Sequence, residues 1–458
     1  MLYNTPTSRA VRLPLSLMLL LIVAAALFGG SNRGDVIVVV AVRLVAILCI
    51  GAAIAFMPLD RLGSIRRPLL FLLALAIWMI LQIVPLPPAI WTALPGRERF
   101  ADAAIAAGMS QPWMPISIVP TRTLGSLLSL LVPLAALILV AWLPKRSWYA
   151  QIYLVVGLGA AAGILALMQI SGSVDSLWQL YDVNQNGGGV GFFANRNHQA
   201  AFMACMFPML AAISVHAIRS GKRGALVTAC CAIFALFLLP LIFITGSRAG
   251  LALTPVSLLA SVVLAWPMLR RRKFSGRQLA VIAGGLLATL AGLTGILLSS
   301  RSLALRRLST TNLYEEQRVN VVEPIVRMIK QNFPFGTGFG TFDPAFRAIE
   351  PYSQLFRTYL NHAHSDPLEF LSDGGLPTAI IFLAFFAWWG ARFFKIWFRA
   401  RDNDVARMAS IVTALWLGAS VVDYPLRTPL ASVIFALAIA WMAIAVDHKR
   451  DVGSVATL

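Results

Sequence analysis

Two histidines, two residues apart, are the side chains in this sequence best suited to move a proton. His362 and His364 lie in the segment NHAHSDPLE, residues 361–369. Asp366, Pro367 and Glu369 there fit the N-cap, N1 and N3 positions of a helix, which DGG at 373–375 would soon end. Because a helix N-terminus attracts anions and histidine titrates near neutral pH, the segment predicts proton transfer beside a phosphate-bearing substrate. Taken alone, two histidines in a loop are more often ordinary surface side chains, and no third residue is spaced to complete a metal site.

Three arginines lie beside predicted turns, and one of them, Arg248, is a candidate diphosphate ligand, because a guanidinium can bind phosphate with two parallel hydrogen bonds. Arg248 lies in TGSRAG, residues 245–250, between two apolar runs. Arg196 lies in FANRNH, which enters an apolar run, and Arg427 lies in DYPLR, which joins the last two runs. Arg248 could equally extend to lipid headgroups at the bilayer edge. The segments of Arg196 and Arg427 could equally be structural hairpins.

The elements that must position these residues are apolar runs long enough to cross a membrane. The chain is 59% hydrophobic and 12% charged, with a mean hydropathy of +0.77. Soluble domains are about 45–50% apolar and about 25% charged, so a soluble enzyme, a disordered protein and a nucleic-acid-binding domain are excluded. Runs of about 20 apolar residues predict spanning helices. Twelve are predicted: Leu13–Gly29, Val36–Met57, Pro68–Leu86, Leu124–Leu143, Ile152–Ile170, Gln199–Ile218, Ala225–Thr245, Leu251–Leu269, Leu279–Leu298, Pro377–Phe394, Met408–Val422 and Pro429–Val446.

The net charge of +19 predicts orientation rather than a nucleic-acid partner. Most Lys and Arg residues fall in alternate short loops, such as RRRK at 270–273, and such loops face the cytoplasm. Both termini are then cytoplasmic. The long loops 87–123, 171–198 and 299–376 face outward.

The predicted fold is therefore an all-α polytopic membrane protein of about 12 transmembrane helices, with a large periplasmic loop between helices 9 and 10. Residues 1–298 form helices 1–9, residues 299–376 form the periplasmic loop with short helices, and residues 377–458 hold helices 10–12. Within the loop, Tyr314–Gln331 reads as a helix that Pro324 would kink. The glycines of FGTGFGTF, residues 335–342, predict a structural turn.

The order of these motifs resembles that of the O-antigen ligase and polymerase superfamily, over roughly residues 190–430. In members of the superfamily the histidine segment usually reads His-Asn-x-x-Leu-x-x-x-x-Glu-x-Gly, whereas this sequence has Ser365 for the Asn and Asp373 for the Glu. The shared elements are FANRN (193–197), GSRAG (246–250), QR (317–318), GTGFGTF (336–342), HSDPLEFLSDGGL (364–376) and DYPLR (423–427).

This resemblance implies a metal-independent, inverting glycosyltransferase of the bacterial inner membrane that works at the periplasmic face without a cofactor. The donor would be a glycan on undecaprenyl diphosphate. His364 would assist the acceptor hydroxyl, and Arg248 and Arg318 would neutralise the diphosphate. The possible supporting residues are Arg196, His362, Asp366 and Arg427.

The sequence leaves the acceptor open. A ligase passes a finished polymer to lipid A–core, and this function is preferred. A polymerase joins repeat units of O-antigen or exopolysaccharide, and a protein O-oligosaccharyltransferase glycosylates protein. A flippase or transporter of lipid-linked glycans would carry charges within several spans, whereas here nearly all charges lie in loops or at span edges.

Overall fold

Helices form nearly all the regular structure in the computed structural model of the chain. No strand occurs in the residues that the structure describes, where one isolated bridge pairs Leu86 with Met114. The described residues are 7–31, 37–171, 178–181, 189–221, 223–270, 284, 287, 291, 321–352, 355, 360–400 and 403–445.

The helices are numbered in chain order over the described residues. The first half of the chain contains α1 Thr7–Phe28, α2 Val39–Phe56, α3 Arg66–Ile83, α4 Pro88–Trp91, α5 Glu98–Ala106, α6 Pro120–Ser129, α7 Leu131–Trp142, α8 Trp148–Ser171, α9 Arg196–Arg219, α10 Gly224–Ile244 and α11 Arg248–Leu269. The second half contains α12 Val322–Gln331, α13 Phe342–Arg347, α14 Asp366–Arg399, α15 Asp404–Val422 and α16 Pro429–Ala445. Short 3₁₀ turns cover Leu59–Ile65, Lys145–Ser147 and Pro425–Arg427.

Ten helical stretches among the described residues are long and apolar enough to cross a membrane, which confirms the polytopic all-α class. The final helix α16 is apolar but has 17 residues. Eleven of the twelve predicted spans coincide with these helices, whereas the ninth, Leu279–Leu298, lies almost entirely outside the described residues. The predicted number of twelve therefore stays a prediction.

Helix α9 is the centre of the bundle and packs against α10, α11 and α15. About 83% of its spanning window is buried, compared with 72% for α15 and 44% or less for each of the other eight stretches. Its buried positions are mostly Ala, Met and Phe, and their side chains form part of the main apolar core. The outer helices leave most of their apolar surface to lipid.

Two outer loops pack together above the bundle, on the end that carries His364, called the His364 end. Thr123 Oγ1 donates to the Phe339 carbonyl oxygen at 2.9 Å, and the Ile118 N–H donates to the Thr337 carbonyl oxygen at 2.9 Å. The glycine turn is confirmed, because Gly336, Gly338 and Gly340 all have positive φ. A small apolar core lies between these loops and comprises Val321, Ile325, Met328, Phe342, Ala345, Phe346 and Ala363.

The glycine turn also caps a break in α14. Gly375, with φ 59° and ψ −148°, interrupts the helix where the sequence predicted its end, and a second helical piece continues to Arg399. The N–H groups of Thr337 and Gly338 donate to the carbonyl oxygens of Ser372 and Asp373 at 3.0 and 2.9 Å. Carbonyl groups left without helical partners at the break are thereby satisfied.

Two local predictions need correction. Asp366 is the first residue of α14, and the N-cap is Ser365, which has extended φ and ψ of −157° and 109°. The Asp366 carboxylate contacts Arg427 instead of capping the helix. Pro324 lies in the first turn of α12, where no helical N–H is needed, so it does not kink the helix that the structure describes. Residues 314–320 of the predicted helix lie outside the described residues.

Candidate active site

Four chain segments that are distant in sequence meet at the His364 end. They are the entries to α9 and α11, the entry to α14, and the turn between α15 and α16. Asp423, 1% exposed, is the residue on which their side chains converge.

Both carboxylate oxygens of Asp423 accept hydrogen bonds. Oδ2 accepts from Asn197 Nδ2 at 2.6 Å and from Asn195 Nδ2 at 3.2 Å. Oδ1 accepts from the Tyr424 N–H at 3.0 Å and lies 3.3 Å from His364 Nδ1. His198 Nε2 lies 3.8 Å from the same oxygen. Because every partner is a donor or a protonatable ring, the arrangement favours an ionised carboxylate.

The pKa of Asp423 follows from these contacts. Burial alone would raise it, but the hydrogen bonds and charges of His198 and His364 outweigh burial and hold the pKa well below its usual range. Asp423 is thus a permanent negative charge beside two imidazoles.

His364 is held in an uncommon backbone conformation at the edge of this network. Its φ is 50°, in the left-handed region that a non-glycine residue adopts at a cost. The ring lies 5.2 Å from the ring of Tyr424, and the side chain is 18% exposed. With Nδ1 turned to the Asp423 carboxylate, the geometry assigns the proton to Nδ1, and Nε2 is then the basic nitrogen.

A hydrogen-bond chain joins this site to the Arg248 turn. Ser247 Oγ donates to Asn197 Oδ1 at 2.8 Å and accepts from the Gly250 N–H at 3.0 Å, as an N-cap. Asn197 in turn donates to Asp423. Arg248, exposed, is the first residue of α11, so its backbone is tied to the His364 network through Ser247.

A second cluster surrounds Arg427. Its Nε lies 3.1 Å from Asp366 Oδ1, and its Nη1 lies 3.1 Å from Glu369 Oε1 and 3.6 Å from Asp373 Oδ2. The guanidinium also stacks over Phe370, with 4.7 Å between Cζ and the ring centroid. Burial would lower the pKa of Arg427, but the charges of the three carboxylates raise it, so the arginine stays charged.

His362 belongs to this second cluster rather than to the first. Its Nδ1 lies 2.8 Å from Glu369 Oε1, and Glu369 Oε2 accepts from the Ala363 N–H at 2.8 Å. The Arg427 cluster therefore fixes the backbone on both sides of residue 363 and places His364 beside the Asp423 network.

Residues 233–383 match the model of a family described as O-antigen ligase. This stretch, about one third of the chain, is similar to the O-antigen ligase domain. This finding confirms the resemblance to that superfamily, and the matched region includes Arg248 and His364. No curated protein matches the chain.

A cavity of about 850 Å³ opens beside His364. Residues of α12, of the segment around His364 and of the end of α15 line it. The lining residues are Val322, Glu323, Val326, Arg327, Lys330, Ala363, His364, Ser365, Leu368, Val421 and Val422. A substrate in this cavity would lie against His364.

The structure brings several of the sequence-predicted residues together and separates others. His364 lines the cavity, whereas Arg427, Asp366 and His362 form the buried cluster that holds the histidine segment. Arg196 is the first residue of α9, between the two asparagines that bind Asp423. Arg318 lies outside the described residues. Within the described ranges, no group of His, Cys, Asp and Glu is arranged to hold a metal ion.

The sequence reasoning missed Asn195, Asn197, Ser247 and Asp423. All four lie in the motifs FANRN, GSRAG and DYPLR, in which only the arginines are predicted to be functional. The available signal was a set of uncharged or acidic polar side chains at the entrances of apolar helices, which must find partners at a bilayer edge.

Proposed function

We propose that the protein is an O-antigen ligase-like glycosyltransferase, which moves a glycan from undecaprenyl diphosphate to lipid A–core at the periplasmic face. Similarity to the O-antigen ligase family supports the class of reaction. The observation that carries the proposal is His364, which lines the cavity while its Nδ1 faces the ionised Asp423.

In the proposed reaction, the acceptor hydroxyl oxygen attacks the anomeric carbon of the donor sugar. The hydroxyl proton passes to His364 Nε2 as the new glycosidic bond forms. The bond between the anomeric carbon and the diphosphate oxygen breaks, and its electron pair leaves with the diphosphate. Because attack and departure occur on opposite sides of the carbon, the configuration inverts.

Asp423 would position the ring and stabilise the imidazolium that forms. A buried carboxylate on one ring nitrogen fixes the tautomer and leaves the other nitrogen to take the proton. The negative charge of Asp423 also favours the charged ring during transfer. His364 is thus the catalytic residue and Asp423 a positioning residue.

The diphosphate would bind at the turn before α11. Arg248 supplies a fixed positive charge, and the N–H groups of a helix N-terminus favour an anion. Arg318 would add a second cation, as the superfamily resemblance implies. These charges neutralise the leaving group without requiring a metal ion in the proposed mechanism.

The His364 end would face the periplasm, with both termini in the cytoplasm. Basic residues at the opposite end of the described helices support this orientation. They include Arg61, Arg66, Arg67, Lys145, Arg146 and Arg219. Cysteines placed at Arg99, on the His364 end, and at Arg146 should be labelled from opposite sides of the membrane, and labelling from the same side would contradict the orientation.

Glycan analysis of a deletion strain tests the function. A ligase predicts lipid A–core without polymer, while polymer accumulates on the lipid carrier. Restoration by the wild-type gene but not by His364→Ala would support the mechanism. Polymer shortened to single repeat units would indicate a polymerase instead, and unchanged glycans would contradict both assignments.

A further inference from the structure

Helix α12 has two chemically different faces. Ile325 and Met328, both buried, pack into the small core between the outer loops. On the other face, positions 322, 323, 326, 327 and 330 follow helical spacing and all line the cavity. Two of these residues are basic, Arg327 and Lys330, so packing of the helix leaves a pair of cations directed along the cavity wall.

The position of this wall relative to His364 identifies which substrate it would contact. The chain Ser247–Asn197–Asp423 connects His364 with the Arg248 turn, where the leaving diphosphate is proposed to bind. An inverting displacement places the attacking hydroxyl on the side of the anomeric carbon away from the leaving group. His364, which would take the hydroxyl proton, lines the same cavity as α12. The acceptor therefore occupies the cavity.

We propose that Arg327 and Lys330 bind a phosphate group carried by the acceptor saccharide. This inference rests on the proposed glycosyl transfer and names the class of acceptor: a phosphorylated glycan rather than a neutral one. The two residues lie one helical turn apart on the same face and can contact one phosphate together.

Glu323, which also lines the cavity, would compete with the acceptor phosphate for Arg327. Its Oε1 lies 2.6 Å from Arg327 Nη2, and the two side chains are 69% and 58% exposed. Exposed pairs of this kind contribute little to stability, so the arginine can exchange its carboxylate for phosphate. Loss of the Glu323 charge should then strengthen acceptor binding, which a purely structural ion pair would not produce.

The apolar part of the cavity is compatible with this occupant. Val322 and Val326 of α12 line the cavity together with Val421 and Val422, which are exposed at the end of α15. These side chains can pack against the C–H faces of sugar rings or the lipid of the acceptor. A cationic wall beside an apolar one thus suits an amphipathic phosphorylated glycolipid.

The test compares purified full-length variants with two acceptors, phosphorylated lipid A–core and the same material after dephosphorylation. Arg327→Gln and Lys330→Gln should each raise the KM for the phosphorylated acceptor about tenfold, with little change in kcat, because each removes one charge-assisted contact. Glu323→Gln should lower that KM. Arg99→Gln, which removes an exposed cation on the same end but outside the cavity, is the matched control and should behave as wild type.

Binding measured without transfer separates this inference from the proposed function. Tryptophan fluorescence would report the affinity of each variant for the two acceptors and for undecaprenyl diphosphate. Weaker binding of only the phosphorylated acceptor by Arg327→Gln and Lys330→Gln supports the inference, even if the wild type transfers no glycan and the proposed function fails. Weaker binding of undecaprenyl diphosphate instead would assign the cations to the donor and overturn it, as would equal binding by wild type and variants.

Discussion

Two buried charge networks lie side by side at the His364 end, and they use opposite arrangements. In the Asp423 network one carboxylate is surrounded by amide donors and by the rings of His364 and His198. In the Arg427 cluster one guanidinium is surrounded by three carboxylates and reaches His362 through Glu369. Two histidines only two residues apart therefore belong to different networks.

The difference separates a chemical role from a structural one. His364 faces the cavity and has one negative charge behind it, which suits reversible protonation. His362 contacts Glu369 within the Arg427 cluster and is not among the residues that line the cavity. The Arg427 cluster fixes the backbone next to His364, and the Asp423 network sets the orientation and protonation of the His364 ring.

Removal of the guanidinium from the Arg427 cluster should give the largest effect. Arg427→Gln leaves the carboxylates of Asp366, Glu369 and Asp373 buried without their cation, and breaking a buried pair costs about 3–5 kcal/mol. The variant should fail to accumulate in membranes or should unfold at a clearly lower temperature. Immunoblots and thermal unfolding in detergent measure this.

Arg347→Gln is the matched control for that change. Arg347 pairs with Asp343 in an ion pair that is 50% exposed on the arginine side, so its loss should have little effect. Normal accumulation and wild-type unfolding of Arg427→Gln would show that the cluster is not structural.

A substitution in the Asp423 network should have a different effect. The protein should still accumulate in membranes but lose glycan transfer. In Asp423→Asn the amide keeps the shape but replaces an acceptor by a donor, so it cannot satisfy Asn197, Asn195 and His364 together. We expect kcat to fall by about 100–10,000-fold, the range of general acid–base catalysis. The acid limb of the pH–rate profile should move to lower pH, because the carboxylate no longer favours the protonated ring.

That pH shift distinguishes positioning from a general packing defect. The pKa of Asp423 lies well below its usual range, so the carboxylate stays ionised as pH falls and histidine protonation sets the acid limb in wild type. A variant with reduced rate but an unchanged pH profile would contradict this role of Asp423.

Arg248 extends the Asp423 network toward the proposed diphosphate, and its loss should likewise affect transfer rather than accumulation. Arg248→Ala should abolish transfer in a protein that still accumulates, whereas Arg248→Lys should rescue it only in part because lysine lacks the planar fork. The measurement is transfer from lipid-linked glycan, and Arg270→Ala, at the opposite end of α11, is the control. Full transfer by Arg248→Ala would indicate that the residue contacts lipid headgroups instead.

The sequence predicted the fold well because hydropathy is a local property. Apolar runs such as Gln199–Ile218 and Met408–Val422 coincide with α9 and α15 to within a few residues. The glycine turn and the break at Gly375 were also predicted, since glycine marks both from sequence alone.

The sequence could not predict which network each polar residue joins, because that depends on contacts between distant segments. Asn197 reaches Asp423 across 226 positions of the chain, and no spacing rule connects them. The same reason explains the error at Asp366. Its position fits an N-cap locally, but Arg427, 61 positions away, takes the carboxylate and Ser365 becomes the cap.

Transfer by purified His364→Ala and His362→Ala variants, with chelator present, tests whether His364 is the catalytic base. His364→Ala should lose about 100–10,000-fold in rate, since the substitution removes the base. His362→Ala should lose much less, because Arg427 still neutralises Glu369. Chelator should not affect the wild type. Full activity of His364→Ala, an equal loss in His362→Ala or inhibition of the wild type by chelator would contradict the account.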